Sequence, residues 1–95
     1  AKVRATAVNV AREYVYRIAA RYEAGEEVVA EVSMAKNFTC QVADKVCYDA
    51  VQLHGGYGYS REFVVERLYR DTRILPIGGG TQEIMKEVIA KRLGF

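Results

Sequence analysis

Apolar side chains recur along most of this chain at three- and four-residue intervals, the spacing of one face of an α-helix. From Lys2 to Ala24 nothing interrupts a helix, and Gly25 stands where a C-terminal stop belongs. Its apolar set is Val3, Ala7, Val10, Ala11, Tyr14, Val15, Ile18, Ala19 and Tyr22. That is too many for one narrow stripe, so the pattern predicts a helix touched by neighbours on more than one side. Arg4, Arg12, Arg17 and Arg21 can lay their stems over apolar surface and keep their charged ends in water.

A second helix is predicted from near Glu26 to His54, where Gly55-Gly56 ends it. Val28, Val32, Ala35, Val42, Val46, Ala50 and Leu53 supply its apolar period, with one skipped turn at Thr39. Glu26 and Glu27 in the first turn suit the positive end of the dipole. Such a helix extends ~40 Å, more than the width of a compact domain of this size, which points to packing against something outside the chain. Ser60 is expected to cap a short helix from Arg61 to about Arg70, carrying Phe63, Val64, Val65, Leu68 and Tyr69. Pro76 bars regular helix through Ile74 and Leu75. After Gly78-Gly79-Gly80, Thr81 is placed to cap a last helix over Gln82 to Leu93, whose apolar face is Ile84, Met85, Val88, Ile89 and Leu93. Lys91 and Arg92 suit its C-terminal dipole, and Gly94 its C′ position.

The expectation is an all-α, up-and-down helical bundle of about four helices, one of them long, forming a single domain over 1–95. Composition agrees: 51% hydrophobic and 27% charged residues are globular proportions. One Pro, no Trp and no sustained run of small turn residues argue against a multi-strand sandwich or barrel. A net charge of +2 is too small to suggest a phosphate-tracking protein, and the tyrosines sit mostly at core spacings, so nucleic acid is not expected as a partner. No apolar stretch reaches the ~18 residues that a membrane span needs. Cys40 and Cys47 read as two small buried thiols in a reducing compartment. If both are helical they lie ~10 Å apart along the axis, beyond the reach of a disulfide. With one His, no four-ligand Cys/His zinc site can be assembled, and no metal is expected.

Both glycine clusters lie at helix ends. Gln52-Leu53-His54-Gly55-Gly56-Tyr57-Gly58 either supplies a simple C-cap or lets backbone amides and Gln52 approach a cofactor. No strand precedes it, so it is not the dinucleotide fingerprint. Gly78-Gly79-Gly80-Thr81 opens a helix, the arrangement that presents free N–H groups to an anion, while Glu83 in the first turn would repel one. Capping and phosphate binding both remain open there. His54 lacks a second His, a nucleophile or a metal-ligand spacing and reads most simply as structural. Arg67, Arg70, Asp71 and Arg73 read as a solvated face with local ion pairs.

Three runs taken together strongly resemble the C-terminal helical domain of the acyl-CoA dehydrogenase family. They are Val51-Gln52-Leu53-His54-Gly55-Gly56-Tyr57-Gly58-Tyr59, Arg70-Asp71-Thr72-Arg73-Ile74-Leu75-Pro76-Ile77 and Gly80-Thr81-Gln82-Glu83-Ile84. Order and intervals match from Met34 to Leu93, and the first helix fits more loosely. The resemblance implies an N-terminal helical domain, a middle β domain and this helical bundle in the parent. It also implies FAD, removal of the α and β hydrogens of an acyl-CoA thioester, transfer of electrons to electron-transfer flavoprotein, and assembly as a dimer or tetramer. It places Gln52, Leu53, His54, Gly55 and Gly56 on the adenosine and pyrophosphate side of FAD, often that of a neighbouring subunit. Thr81 and Glu83 match further cofactor contacts, and Gly80 lies next to the substrate pocket.

One departure bears on catalysis. In many members the residue two before the threonine is the glutamate that takes the α-proton; here it is Gly79, which has no side chain to act as a base. The preceding position, often aromatic, is Gly78. This resembles the long-chain and isovaleryl branches, whose glutamate comes from an earlier helix. Glu62, Glu66 and Glu83 match no base in the motif. The chain is therefore expected to be the tail of a larger flavoenzyme, with no catalytic residue of its own and no activity in isolation, in a bacterial cytoplasm or mitochondrial matrix. The alternative is a free-standing, non-catalytic helical module for oligomerisation or binding. A third option is a small anion- or nucleotide-binding domain built on the glycine-rich helix start.

Overall fold

A computed structural model describes residues 2–95, with side chains from Arg4 onward; Val3, counted above among the apolar set, falls outside the described side chains. Four α-helices are present among the described residues: α1 (Lys2–Glu23), α2 (Val29–His54), α3 (Val64–Thr72) and α4 (Gln82–Leu93), with a 3₁₀ turn over Gly55–Tyr59. No strand accompanies them. The all-α bundle expected from the pattern is the observed architecture. α2 is its hub: α1, α3, α4 and the 3₁₀ turn each pack on it, while α1 and α4 do not meet.

Two helix starts move. α2 starts at Val29 rather than near Glu26, because Glu27 stands ahead of the helix and its Oε1 accepts the Val29 N–H at 3.1 Å. The two carboxylates act around the helix start and not in its first turn: Glu26 pairs with Arg21 at 3.1 Å, and Glu27 meets Arg92 of α4 at 3.6 Å. α3 starts at Val64, not Arg61, and its N-cap is Phe63. Ser60 caps a turn instead, accepting the Glu62 N–H at 3.2 Å. Phe63 stays extended because its ring packs 5.5 Å from Tyr57 and 5.9 Å from His54. α4 behaves as its sequence predicts: Thr81 Oγ1 accepts the Ile84 N–H at 3.1 Å, and Gly94 closes the helix in the left-handed region.

The core is thin. Ile18, Val28 and Ala35 form its centre with Tyr14 packed against them, joined by Ala11, Ala30 and Cys40. On α2 the buried positions are Ala30, Ser33, Ala35, Asn37 and Cys40, so small and polar residues share the inner face with apolar ones. Val32 and Leu53, which the apolar period assigned to the core, are 49% and 79% exposed. Ile84 and Leu93 of α4 are likewise about half exposed. A hub helix wrapped on several sides leaves gaps between its neighbours, and these side chains point into the gaps. Cys40 is buried and Cys47 half-buried; both are free thiols.

The molecule measures 47 × 23 × 20 Å, with a radius of gyration of 15.6 Å. A compact chain of this length would have about 12 Å. Its surface is 7113 Å², against about 5,500 Å² for a compact protein of the same mass. The excess is apolar in large part: Val10, Tyr16, Tyr22, Val32, Tyr48 and Leu53 are all exposed. Among the described residues, no helix is long and apolar enough to cross a membrane.

Candidate functional site

The two glycine clusters lie against different parts of α2. The first is the corner at its C-terminal end. Gly55 leaves the helix at φ +61°, and its N–H closes back on the Gln52 carbonyl. The next residues wind into the 3₁₀ turn, and Gly58 is buried within it. A Cβ at Gly58 would collide with the Val51 carbonyl oxygen and lie 3.0 Å from His54 Cβ, so the fold itself demands glycine there. Gly56 is different. Its φ is ordinary, and nothing in the chain approaches a Cβ placed on it within 4 Å. The fold gives no reason for glycine at 56, and the open space above it admits an external molecule close to the backbone.

Gln52, Leu53, His54 and Gly56 are all exposed around this opening. His54 Nδ1 lies 2.7 Å from the Ala50 carbonyl. A carbonyl only accepts, so Nδ1–H is the donor in this contact. A groove of about 320 Å³ lined by Arg4, Val46, Asp49, Ala50, Gln52 and Leu53 runs alongside, and Arg4 pairs with Asp49 across it.

The second cluster is the loop that leads into α4. Its first half is a tight coil: the N–H groups of Ile77 and Gly78 both donate to the Ile74 carbonyl, and that of Gln82 returns to the Pro76 carbonyl. Gly79 and Gly80 then take φ of +67° and +111°, values that favour glycine strongly. Space does not exclude a side chain at Gly79, where a Cβ would meet only Lys36 Cε at 3.9 Å; backbone conformation does. At Gly80 a Cβ would run into the Met85 methyl. Among the described residues, the N–H groups of Gly79, Gly80, Thr81 and Glu83 find no hydrogen-bond acceptor. A groove of about 470 Å³ lined by Asp44, Arg73, Pro76, Ile77, Thr81, Gln82 and Glu83 adjoins them.

Two residues that the hydrophobic pattern does not single out fasten this loop to α2. Lys36 Nζ donates to the carbonyls of Leu75 (3.2 Å) and Gly80 (2.5 Å), and Asn37 Nδ2 donates to that of Gln82 at 3.2 Å. Their only signal in the sequence is Asn37 itself, a polar residue four after Ser33 and three before Cys40 on the buried face. Lys36 gives none.

Along α2, Gln52 lies fifteen positions (about 22 Å) from Asn37, which holds the Gln82 carbonyl, and eight (about 12 Å) from Asp44, which lines the groove beside Thr81 and Glu83. The structure therefore gathers Gly80, Thr81 and Glu83 at one place and Gln52 through Gly56 at another, and does not unite the two sets. No group of three or more His, Cys, Asp or Glu able to hold a metal ion occurs among the described residues. The shifted ionisations lie in neither cluster. In α3, a hydrogen bond from Arg70 holds the Glu66 carboxyl below its usual range, and the same bond raises Arg70.

Comparison with known proteins supplies a context for this geometry. Residues 3–94 match the family model described as acyl-CoA dehydrogenase, C-terminal domain. A crystal structure titled a "probable acyl CoA dehydrogenase" from Mycobacterium abscessus is 59% identical over 95% of this chain and 24% of its own, with a TM-score of 0.93. The mitochondrial long-chain specific acyl-CoA dehydrogenase of Sus scrofa is 43% identical over 93% of this chain and 20% of its own length. A solved FAD complex of PigA is 28% identical over 94% of this chain and 23% of that one, with a TM-score of 0.89. The chain thus spans about a quarter of these proteins, or less.

Proposed function

The chain belongs to the acyl-CoA dehydrogenase family, whose C-terminal domain it matches over residues 3–94, and on that premise we propose that it is the FAD-contacting, self-associating C-terminal domain of such a flavoenzyme. The parent removes the α and β hydrogens of an acyl-CoA thioester and passes the electrons to electron-transfer flavoprotein. The observation that carries the reading is Gly56: a glycine with ordinary φ and empty space around it, next to an exposed Gln52. Elsewhere in the chain, close packing or a left-handed backbone usually accounts for glycine; here an outside molecule does.

The residues present fit FAD. Gln52 and the open backbone of Gly55 and Gly56 hold its adenosine and pyrophosphate side. At the other cluster, Thr81, Glu83 and the free amides of Gly79 and Gly80 line the part of the loop that faces cofactor and thioester. FAD, when bound, supplies the two-electron acceptor. The chain's own contribution is binding and orientation, since Gly79 offers no base and the α-proton is taken by a carboxylate from an earlier helix of the domain, which residues 1–95 do not supply. The clusters meet α2 about 12 to 22 Å apart along its axis, so one copy would not close both around a single pyrophosphate. Two copies do so when the Gln52–Gly56 corner of one meets the flavin held by the other. The apolar surface in excess of a compact monomer's supports this pairing. A bacterial cytoplasm or mitochondrial matrix is the compartment proposed for it.

Substitution at Gly56 tests the reading. The Cβ of a Gly56→Leu side chain has nothing in the fold within 4 Å, so helix content and melting should stay close to those of the parent. In the flavoprotein that carries the chain, FAD affinity should fall by a factor of roughly ten or more, because the new side chain fills the space the cofactor backbone contact requires. Unchanged FAD affinity would remove the site.

A further inference from the structure

Lys36 is the one cation that reaches from the hub helix into the glycine loop. Its ammonium binds carbonyls 39 and 44 residues further on, Leu75 and Gly80, with the charge strengthening both hydrogen bonds. Those two carbonyls bracket the stretch in which the backbone turns left-handed at Gly79 and Gly80. Three consecutive glycines have more conformers to lose than any other tripeptide, and none of the amides from 79 to 81 is held by the chain itself. The loop needs an anchor from elsewhere, and Lys36 provides it.

The anchor also sets direction. In a trans peptide the C=O and the next N–H point opposite ways, and no cis peptide is present. Drawing the Gly80 carbonyl toward α2 therefore turns the Thr81 N–H away from α2. Asn37, one residue along, fixes the Gln82 carbonyl in the same manner. We propose that Lys36 is a positioning residue for the cofactor loop: it holds the Gly80 carbonyl so that the Thr81 amide, free among the described residues, faces the ligand. This rests on the reading of that loop as the place where flavin and thioester meet the domain. Lys36 itself touches neither.

Lys36→Met keeps the length of the stem and removes the donors; Lys36→Arg keeps charge and donors. Two readouts on the flavoprotein separate the outcomes. The first is hydrogen exchange across residues 74–82, where the bonded amides of Ile77, Gly78 and Gln82 report loop order. The second is the visible circular dichroism of the bound flavin together with kcat and KM. Lys36→Met should raise loop exchange by roughly ten-fold or more while α1 exchanges as before. It should also change the flavin dichroism and lower kcat by roughly ten-fold or more, with a smaller effect on KM, as misplacement of a preorganised loop does. Lys36→Arg should restore most of both. Unchanged loop exchange in Lys36→Met overturns the proposal. So does faster exchange with an unaltered flavin spectrum and kcat, since Lys36 would then be a tether with no bearing on the ligand. A parent protein that takes up no flavin at all sinks the functional reading first, and the positioning role falls with it; the exchange readout then still decides whether Lys36 orders the loop.

Discussion

Glycine carries different meanings at neighbouring positions of this chain, and substitution separates them. Gly58→Ala drives a methyl into the Val51 carbonyl, backbone against backbone, where no rotamer change gives relief. It should cost roughly 2–3 kcal/mol of stability in urea denaturation. Gly56→Ala meets empty space and should stay within about 0.5 kcal/mol of the parent. Sequence showed the cluster but not this division, because both residues sit in one Gly-Gly-Tyr-Gly run and only the return of the chain past Val51 distinguishes them. Gly79 shows the same limit: its lack of a side chain is plain from the letter, whereas the φ of +67° that would strain any replacement is not.

At the scale of elements, termini set by local hydrogen bonds were legible and termini set by packing were not. The end of α2 at Gly55 and the start of α4 at Thr81 follow from cap chemistry within a few residues. Thr81→Ala should therefore lose about 1 kcal/mol, read as a lower denaturation midpoint. The start of α3 was misread because Phe63 is held extended by His54 and Tyr57, contacts that span the corner. The Lys36 and Asn37 bonds, with partners 39 to 45 residues away, left almost no local trace. Within α3 the Glu66–Arg70 pair makes a pH-dependent contribution. Arg70 lowers the Glu66 carboxyl from its ordinary 4.5, so the contribution is present above that value and lost as pH falls through the lowered one. Glu66→Gln should be less stable than the parent at neutral pH, and the difference should close on acidification well below 4.5. A gap that persists undiminished in acid would assign the loss to packing instead.

The whole molecule is a hub helix with three neighbours, longer and more exposed than its mass requires. Its α2, 26 residues long, spans most of the 47 Å long axis, as the apolar period with its one skipped turn at Thr39 predicted. What the period could not show is that α1 and α4 fail to meet, leaving Val15, Tyr22 and Val32 along an open groove beside Ile18. An exposed apolar groove of this kind calls for a cover, from the rest of a longer chain or from a second copy. On the proposed reading, the two clusters, set apart along α2, contact the flavins of different copies. The most direct test is sedimentation velocity of the flavoprotein that carries this chain, followed in protein absorbance and in the visible absorbance of FAD. The account predicts that flavin sediments with an even-numbered assembly, and that Gly56→Leu strips the flavin from it. A monomer that retains its flavin, or a protein that sediments free of flavin under saturating FAD, would contradict it.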